Sequence, residues 1–202
     1  MKKVFLSYDR VRNNSIKMAH RIYKDGFIPD VIYVSLRGGA YPGNVISEYF
    51  KIVRKNQRPV FYAAVVARSY TDVSKQENIM IDGWTYNPEY LRSGDKVLLV
   101  DDIFDSGRTI NRIAEFISSK GLPRTDIKIA VHDYKIMTYK KEQLHVQPDY
   151  YCNKYVIDSP DEDIWIHYMS HELVGLNDGE LEKYYFSADP ELKEALEVLH
   201  RA

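Results

Sequence analysis

Hydrophobic and polar positions along the chain alternate between two kinds of segment. Val4 to Tyr8, Val31 to Ser35, Val60 to Ala67, Val97 to Val100 and Ile127 to Val131 are short runs dominated by apolar residues. Runs this apolar predict strands covered on both faces. Between them the apolar residues return at helical spacing. Ile16, Ala19, Ile22 and Tyr23 share one face of a helix that closes at Gly26 near residue 25. Pro42 suits the first turn of a helix carrying Val45, Ile46, Tyr49 and Phe50, and Ile113, Phe116 and Ile117 mark a helix from Thr109 to Ser119 ahead of Gly121. Asp189-Pro190 followed by Leu192, Ala195, Leu196 and Leu199 predicts a capped amphipathic helix near the C-terminus. Strands and helices taking turns imply right-handed crossovers, hence an α/β fold with a mainly parallel sheet flanked by helices. Ligands of such sheets bind beyond the carboxyl ends of the strands.

The segment Val97-Leu98-Leu99-Val100-Asp101-Asp102-Ile103-Phe104-Asp105-Ser106-Gly107-Arg108-Thr109 places chemistry at such an end. Backbone N–H groups of Ser106, Gly107, Arg108 and Thr109 open a helix, where the helix dipole favours a phosphate. Gly107 permits close approach, and the Ser106 and Thr109 hydroxyls add donors. Asp101 and Asp102 are expected to point to opposite sides of an extended chain, accepting hydrogen bonds from sugar hydroxyls rather than caging one metal ion. An Asp-x-Asp phosphatase nucleophile is disfavoured by their adjacency, and an EF-hand loop by the spacing of the acids. Ser35-Leu36-Arg37-Gly38-Gly39-Ala40-Tyr41-Pro42-Gly43 is a second strand-to-helix turn, with Arg37 as a phosphate fork. On its own it also fits an ordinary tight turn.

Composition narrows the setting. A chain of 202 residues without a Gly-, Ser- or Pro-rich linker is expected to form one domain, 1–202. A formal net charge of −1 with interspersed signs provides no basic stripe for nucleic acid. The single Cys152 cannot form an internal disulfide, and no apolar run approaches membrane-spanning length, so a soluble, cytoplasmic protein is expected.

The 97–109 block resembles the phosphoribosyl-pyrophosphate (PRPP) motif of the type I phosphoribosyltransferases at every position of that fingerprint. Beside it, the Arg37-Gly38-Gly39 turn resembles the pyrophosphate loop of purine phosphoribosyltransferases, the xanthine-guanine type above all, and the resemblance implies a cis Leu36–Arg37 peptide. It implies PRPP binding by Arg37, Gly38, Gly39, Asp101, Asp102, Asp105, Ser106, Gly107, Arg108 and Thr109, with Mg²⁺ at Asp101 and Asp102. Arg68 to Gly83, polar and turn-rich, resembles the mobile catalytic loop, with Ser69 and Tyr70 as lid residues; a plain surface loop is the other reading. Asp105 resembles the general base. Lys135, just after the strand ending at Val131, and Trp165 and Ile166 resemble the purine-binding lysine and the base hood, a segment of about residues 132–175 followed by an extension over 176–202; a surface lysine and a core tryptophan remain the alternatives.

The implied reaction is transfer of the 5-phosphoribosyl group from Mg·PRPP to N9 of guanine, xanthine or hypoxanthine. A homodimer or homotetramer is the family's usual assembly. A different base, or a PRPP-sensing nucleic-acid-binding regulator, are the competing functions. The chain departs from the family after Ile166, where His167-Tyr168-Met169-Ser170-His171-Glu172 follows. Glu172 is the candidate for a second Mg²⁺ ligand, while His167 and His171 are expected at the surface.

Overall fold

The computed structural model describes residues 2–55, 57–71, 77–140, 146–186 and 190–200. It divides into two compact units, Met1–Ser170 and His171–Ala202. The first contains β1 (Lys2–Leu6), α1 (Tyr8–Lys24), β2 (Val31–Leu36), α2 (Ala40–Val53), β3 (Phe61–Thr71), β4 (Glu77–Trp84), β5 (Val97–Phe104), α3 (Arg108–Ser119), β6 (Ile127–Met137), β7 (Tyr150–Ile157) and β8 (Ile164–Tyr168). Six strands form one sheet in the order β4-β3-β2-β5-β6-β7, parallel except for the antiparallel β3–β4 pair, and β1 pairs with β8 in a separate parallel ribbon.

Two apolar layers explain why the central strands carry so few polar residues. Val31, Tyr33, Val97 and Leu99 pack with Ile110, Ile113 and Ile117 of α3, whereas Ile32, Val34, Leu98 and Val100 pack with Met18, Ala19 and Ile22 of α1 and Ile46 and Phe50 of α2. Each such side chain contributes about 1.5–3 kcal/mol when fully buried, so a polar replacement on either face would be costly.

Local chemistry moves several element ends. The first strand stops at Leu6 rather than Tyr8, because the Ser7 side chain accepts the Arg10 N–H at 3.3 Å and starts α1. Tyr23 lies outside the buried stripe of that helix at 41% exposure, and Val11 and Met18 are inside it. Of the polar stretch 68–83, the described residues are strand: β3 continues to Thr71 and β4, from Glu77, runs antiparallel to it, pairing Arg68 with Met80. Ile81 and Trp84 of β4 pack against the cluster under α3, and Arg68 pairs with Asp82 at 2.8 Å. The strand predicted to end at Val131 runs on to Met137, because His132 and Asp133 are buried and bonded to each other at 2.6 Å. A polar pair that satisfies itself does not interrupt a buried strand.

The C-terminal unit contains α4 (Asp178–Leu181), capped by Asn177 and Glu180 in a reciprocal capping box, and α5 (Pro190–His200). Asp189, the expected cap of the last helix, lies outside the described residues. Among the described residues no helix is long and apolar enough to cross a membrane.

Candidate active site

β2 and β5 lie side by side at the centre of the sheet, and the chain winds outward from them in both directions: β2 leads to β3 on one side, β5 to β6 on the other. Their carboxyl ends therefore flank the switch point of the sheet, and two turns meet there. The first is Arg37-Gly38-Gly39, following a cis Leu36–Arg37 peptide, as the resemblance implies. The Gly39 N–H donates to the Ser35 carbonyl at 2.9 Å and the Ala40 N–H to the Arg37 carbonyl at 3.2 Å, which tightens the turn into α2. A β-carbon on Gly38 would run into the Asp102 carboxylate, and one on Gly39 would run into the backbone of Val100, Ser35 and Asp101. Glycine is required here by proximity.

The second turn carries Asp105, Ser106 and Gly107. Gly107 has φ 69°, caps α3 with its backbone, and sits so close to the Phe104 ring that any side chain would overlap it. Helix α3 then begins at Arg108, with Thr109 in its first turn. The Arg108 N–H lies 3.5 Å from the Ser106 hydroxyl, at the limit of a hydrogen bond.

Asp101 and Asp102 do not point to opposite sides. Leu99 and Phe104, an odd number of residues apart, both face the α3 cluster, so the strand's alternation is interrupted between them. The Asp102 N–H donates to Asp101 Oδ1 at 3.0 Å and the Ile103 N–H to Asp102 Oδ1 at 2.8 Å, folding both carboxylates back along the chain. Burial, and then the neighbouring Asp102 carboxylate, push Asp101 well above the usual carboxylate range; a hydrogen bond from Ser35 acts in the opposite direction. Two crowded carboxylates suit hydroxyl donors or a cation that relieves their repulsion. Among the described residues no group of three or more His, Cys, Asp or Glu converges on one metal position.

Lys135 lies inside β6, not after it, and is 5% exposed. Its ammonium is 2.5 Å from Asp163 Oδ1 and 3.5 Å from Asp105 Oδ1. The fold thereby sets Lys135 beside Asp105, two residues singled out by resemblance, and adds to the ammonium a second carboxylate, Asp163, that sequence reading missed. Asp163 stands just before β8 and also accepts the Ile164 N–H at 2.8 Å. The only sequence signal for it was a carboxylate two residues before Trp165. Trp165 is 48% exposed and Ile166 is buried.

The remaining candidates occupy β3, β8 and the C-terminal unit. Ser69 and Tyr70 belong to the backbone of β3, paired with Ile79 and Asn78, and their side chains lie outside the described residues. Glu172 lies in the C-terminal unit, where its carbonyl accepts the Tyr185 hydroxyl at 3.3 Å. His167, expected at the surface, is fully buried in β8 with its ring 4.8 Å from that of Phe5. The β1 partner strand that covers it is distant in sequence.

The chain thus sets a glycine-lined turn and a paired-carboxylate turn on adjacent strand ends of a mainly parallel α/β sheet. The chain belongs to the phosphoribosyltransferases: the model of the phosphoribosyl transferase domain matches residues 7–167. Its fold is similar to that of a purine phosphoribosyltransferase from Pyrococcus horikoshii, at 22% identity over 88% of this chain and 99% of that one, with a TM-score of 0.66. A hypoxanthine phosphoribosyltransferase from Staphylococcus aureus aligns at 17% identity over 77% of this chain and 78% of that one, TM-score 0.57. A xanthine-guanine-hypoxanthine phosphoribosyltransferase from Helicobacter pylori aligns at 16% identity over 92% of this chain and 100% of that one, TM-score 0.55. No curated protein matches the chain.

Proposed function

We propose that the chain transfers the 5-phosphoribosyl group from PRPP to N9 of a 6-oxopurine, guanine, xanthine or hypoxanthine, with release of pyrophosphate. The observation that carries this reading is the buried Lys135 ammonium between Asp163 and Asp105, next to the two turns at the switch point. An ammonium has three donors. Two meet the carboxylates, and the third is available for the exocyclic oxygen at position 6, a group that adenine lacks. Trp165 offers the stacking face, and the backbone near Ile166 the edge contacts.

The 5-phosphate belongs on the Ser106-to-Thr109 turn, where the α3 N-terminus favours an anion. Asp101 and Asp102 accept the ribose hydroxyls and would hold Mg²⁺. Magnesium, when bound, supplies charge neutralisation for the departing pyrophosphate. Arg37 and the N–H groups of Gly38 and Gly39 bind the same group from the protein side. The bond from the anomeric carbon to the pyrophosphate oxygen breaks, and the bond to N9 forms. Asp105 takes the proton from N7 as N9 attacks, and Lys135 keeps the O6 charge balanced.

The test is to incubate the purified chain with Mg²⁺ and PRPP against guanine, xanthine, hypoxanthine, adenine and the pyrimidine bases, measuring nucleotide and pyrophosphate. Product from 6-oxopurines alone is the expected outcome. Product from adenine or a pyrimidine in preference would overturn the base assignment, and salt-sensitive nucleic-acid binding with no pyrophosphate from any base would overturn the activity.

A further inference from the structure

The β1–β8 ribbon carries Trp165 and Ile166 but shares no strand ladder with the six-stranded sheet. Polar side chains attach it at both ends of β8. At the start, Asp163 pairs with Lys135 of β6 at 2.5 Å. At the far end, the Tyr168 hydroxyl lies 2.9 Å from the backbone carbonyl of Asp102 in β5 and 2.7 Å from Asp133 Oδ2 in β6. The Tyr168 ring packs with Leu6, Val11 and Ile166 and is almost fully buried.

Asp133 is itself held from several sides. His132 Nδ1 lies 2.6 Å from the same Oδ2, Asn153 Nδ2 donates to Oδ1 at 2.7 Å, and burial, then the Asp133 carboxylate, push the Tyr155 hydroxyl above its usual range. Asn14 of α1 reaches His132 Nε2 at 3.2 Å. His132 and Asp133 are both completely buried. A buried carboxylate in a mostly apolar strand is a poor device for stability alone, since an apolar side chain of similar volume does as well. A network bonded on every side is a good device for fixing one geometry.

We infer that Tyr168 is a positioning residue that sets the separation between the base-carrying strand β8 and the ribose-carrying end of β5, with Asp133 holding its hydroxyl in place. The inference rests on the proposed function. N9 of the base must meet the anomeric carbon in line with the departing oxygen. The base is located by β8 and Lys135, and the sugar by Asp101, Asp102 and the 105–109 turn. Any drift of β8 against β5 therefore appears directly in the attack distance, and a displacement of about 1 Å costs roughly a hundredfold in rate.

The experiment compares Tyr168→Phe with Tyr155→Phe. Both remove a hydroxyl that interacts electrostatically with Asp133, but only the first removes the link to Asp102, and phenylalanine keeps the ring packing. With Mg²⁺ and PRPP alone, calorimetry should show affinity within about twofold of wild type for both. With base added, kcat/KM for the base should fall about tenfold or more in Tyr168→Phe and stay within about twofold in Tyr155→Phe. A Tyr168→Phe enzyme that loses thermal stability yet keeps wild-type kcat and base KM would overturn the inference. Equal kinetic losses in the two variants, or an equal loss of PRPP affinity, would overturn it as well. A wild-type chain that makes no nucleotide from any base removes the proposed function together with this inference, whereas active wild type with an unimpaired Tyr168→Phe removes the inference alone.

Discussion

Replacing Asp163 by Asn leaves the Lys135 ammonium, 5% exposed, with one remaining carboxylate at 3.5 Å instead of two. Removing one partner of a buried pair costs roughly 3–5 kcal/mol. Two features reduce that figure here: Asp163 retains 20% exposure, and Asp105 still faces the ammonium. Asn also keeps an acceptor for the Ile164 N–H. The expected loss is about 2 kcal/mol, which at a urea m-value of ~2 kcal/mol/M lowers the unfolding midpoint by about 1 M. Kinetically, Lys135 is left to pair with Asp105, so both base recognition and proton removal suffer while the phosphate turn is untouched. Base KM should rise and kcat fall, with PRPP affinity retained. Urea denaturation followed by tryptophan fluorescence and circular dichroism reads the first effect, steady-state kinetics the second. A variant within about 0.5 kcal/mol of wild type, the range of an ordinary surface substitution, would refute the idea that this ammonium is buried and paired. The double change Lys135→Met with Asp163→Leu should recover most of the stability and none of the 6-oxopurine selectivity, because an apolar pair fills the site without leaving a charge unmatched.

Gly39→Ala places a methyl group against the backbone of Val100, Ser35 and Asp101, none of which is a flexible side-chain end; a loss of about 1–3 kcal/mol is expected from overpacking, with weakened PRPP binding, and an alanine variant matching wild type in melting temperature and calorimetry would show that the turn yields. Asp105→Asn should lower turnover far more than PRPP affinity, and unchanged turnover would remove Asp105 from the proton-accepting role. Burial pushes the Cys152 thiol up to about 12 from 9.0, with Arg21 pulling the other way. A raised folded pKa means that the associated stability is fully present below pH 9.0 and is lost as pH rises from there towards 12. Unfolding free energy should therefore decline over that alkaline interval less steeply in Cys152→Ala than in wild type, and a disulfide reagent at pH 8 should label Cys152 only after denaturation.

The modules of the fold were legible because each rests on interactions close in sequence. Apolar runs over β2 and β5, the helical spacing in α1 and α3, and the turns at Gly26, Gly107 and Gly121 announce themselves within a dozen residues, and all three glycines take positive φ. The acidic turn at 101–109 and the glycine turn at 37–39 were visible for the same reason. Legibility failed where a partner came from elsewhere. The antiparallel pairing of β3 with β4 was hidden by their polar residues, because the cluster that holds Ile81 and Trp84 includes α3. Strand β6 reads in the sequence as ending at Val131, because the buried polar pair His132–Asp133 that continues it is satisfied in part by Asn14, Asn153 and Tyr168.

By itself, then, the sequence determined which segments become strands and helices and which turns carry anion- and sugar-binding groups, since backbone preference and short-range periodicity act locally. Only the tertiary structure decided how those groups face one another. It brought Asp163 onto Lys135, buried His167 beside Phe5 of β1, and stretched Tyr168 across to Asp102. Those meetings depend on β1 pairing with β8 and on the order in which six strands line up, and contacts between residues so far apart along the chain leave no periodic trace in it.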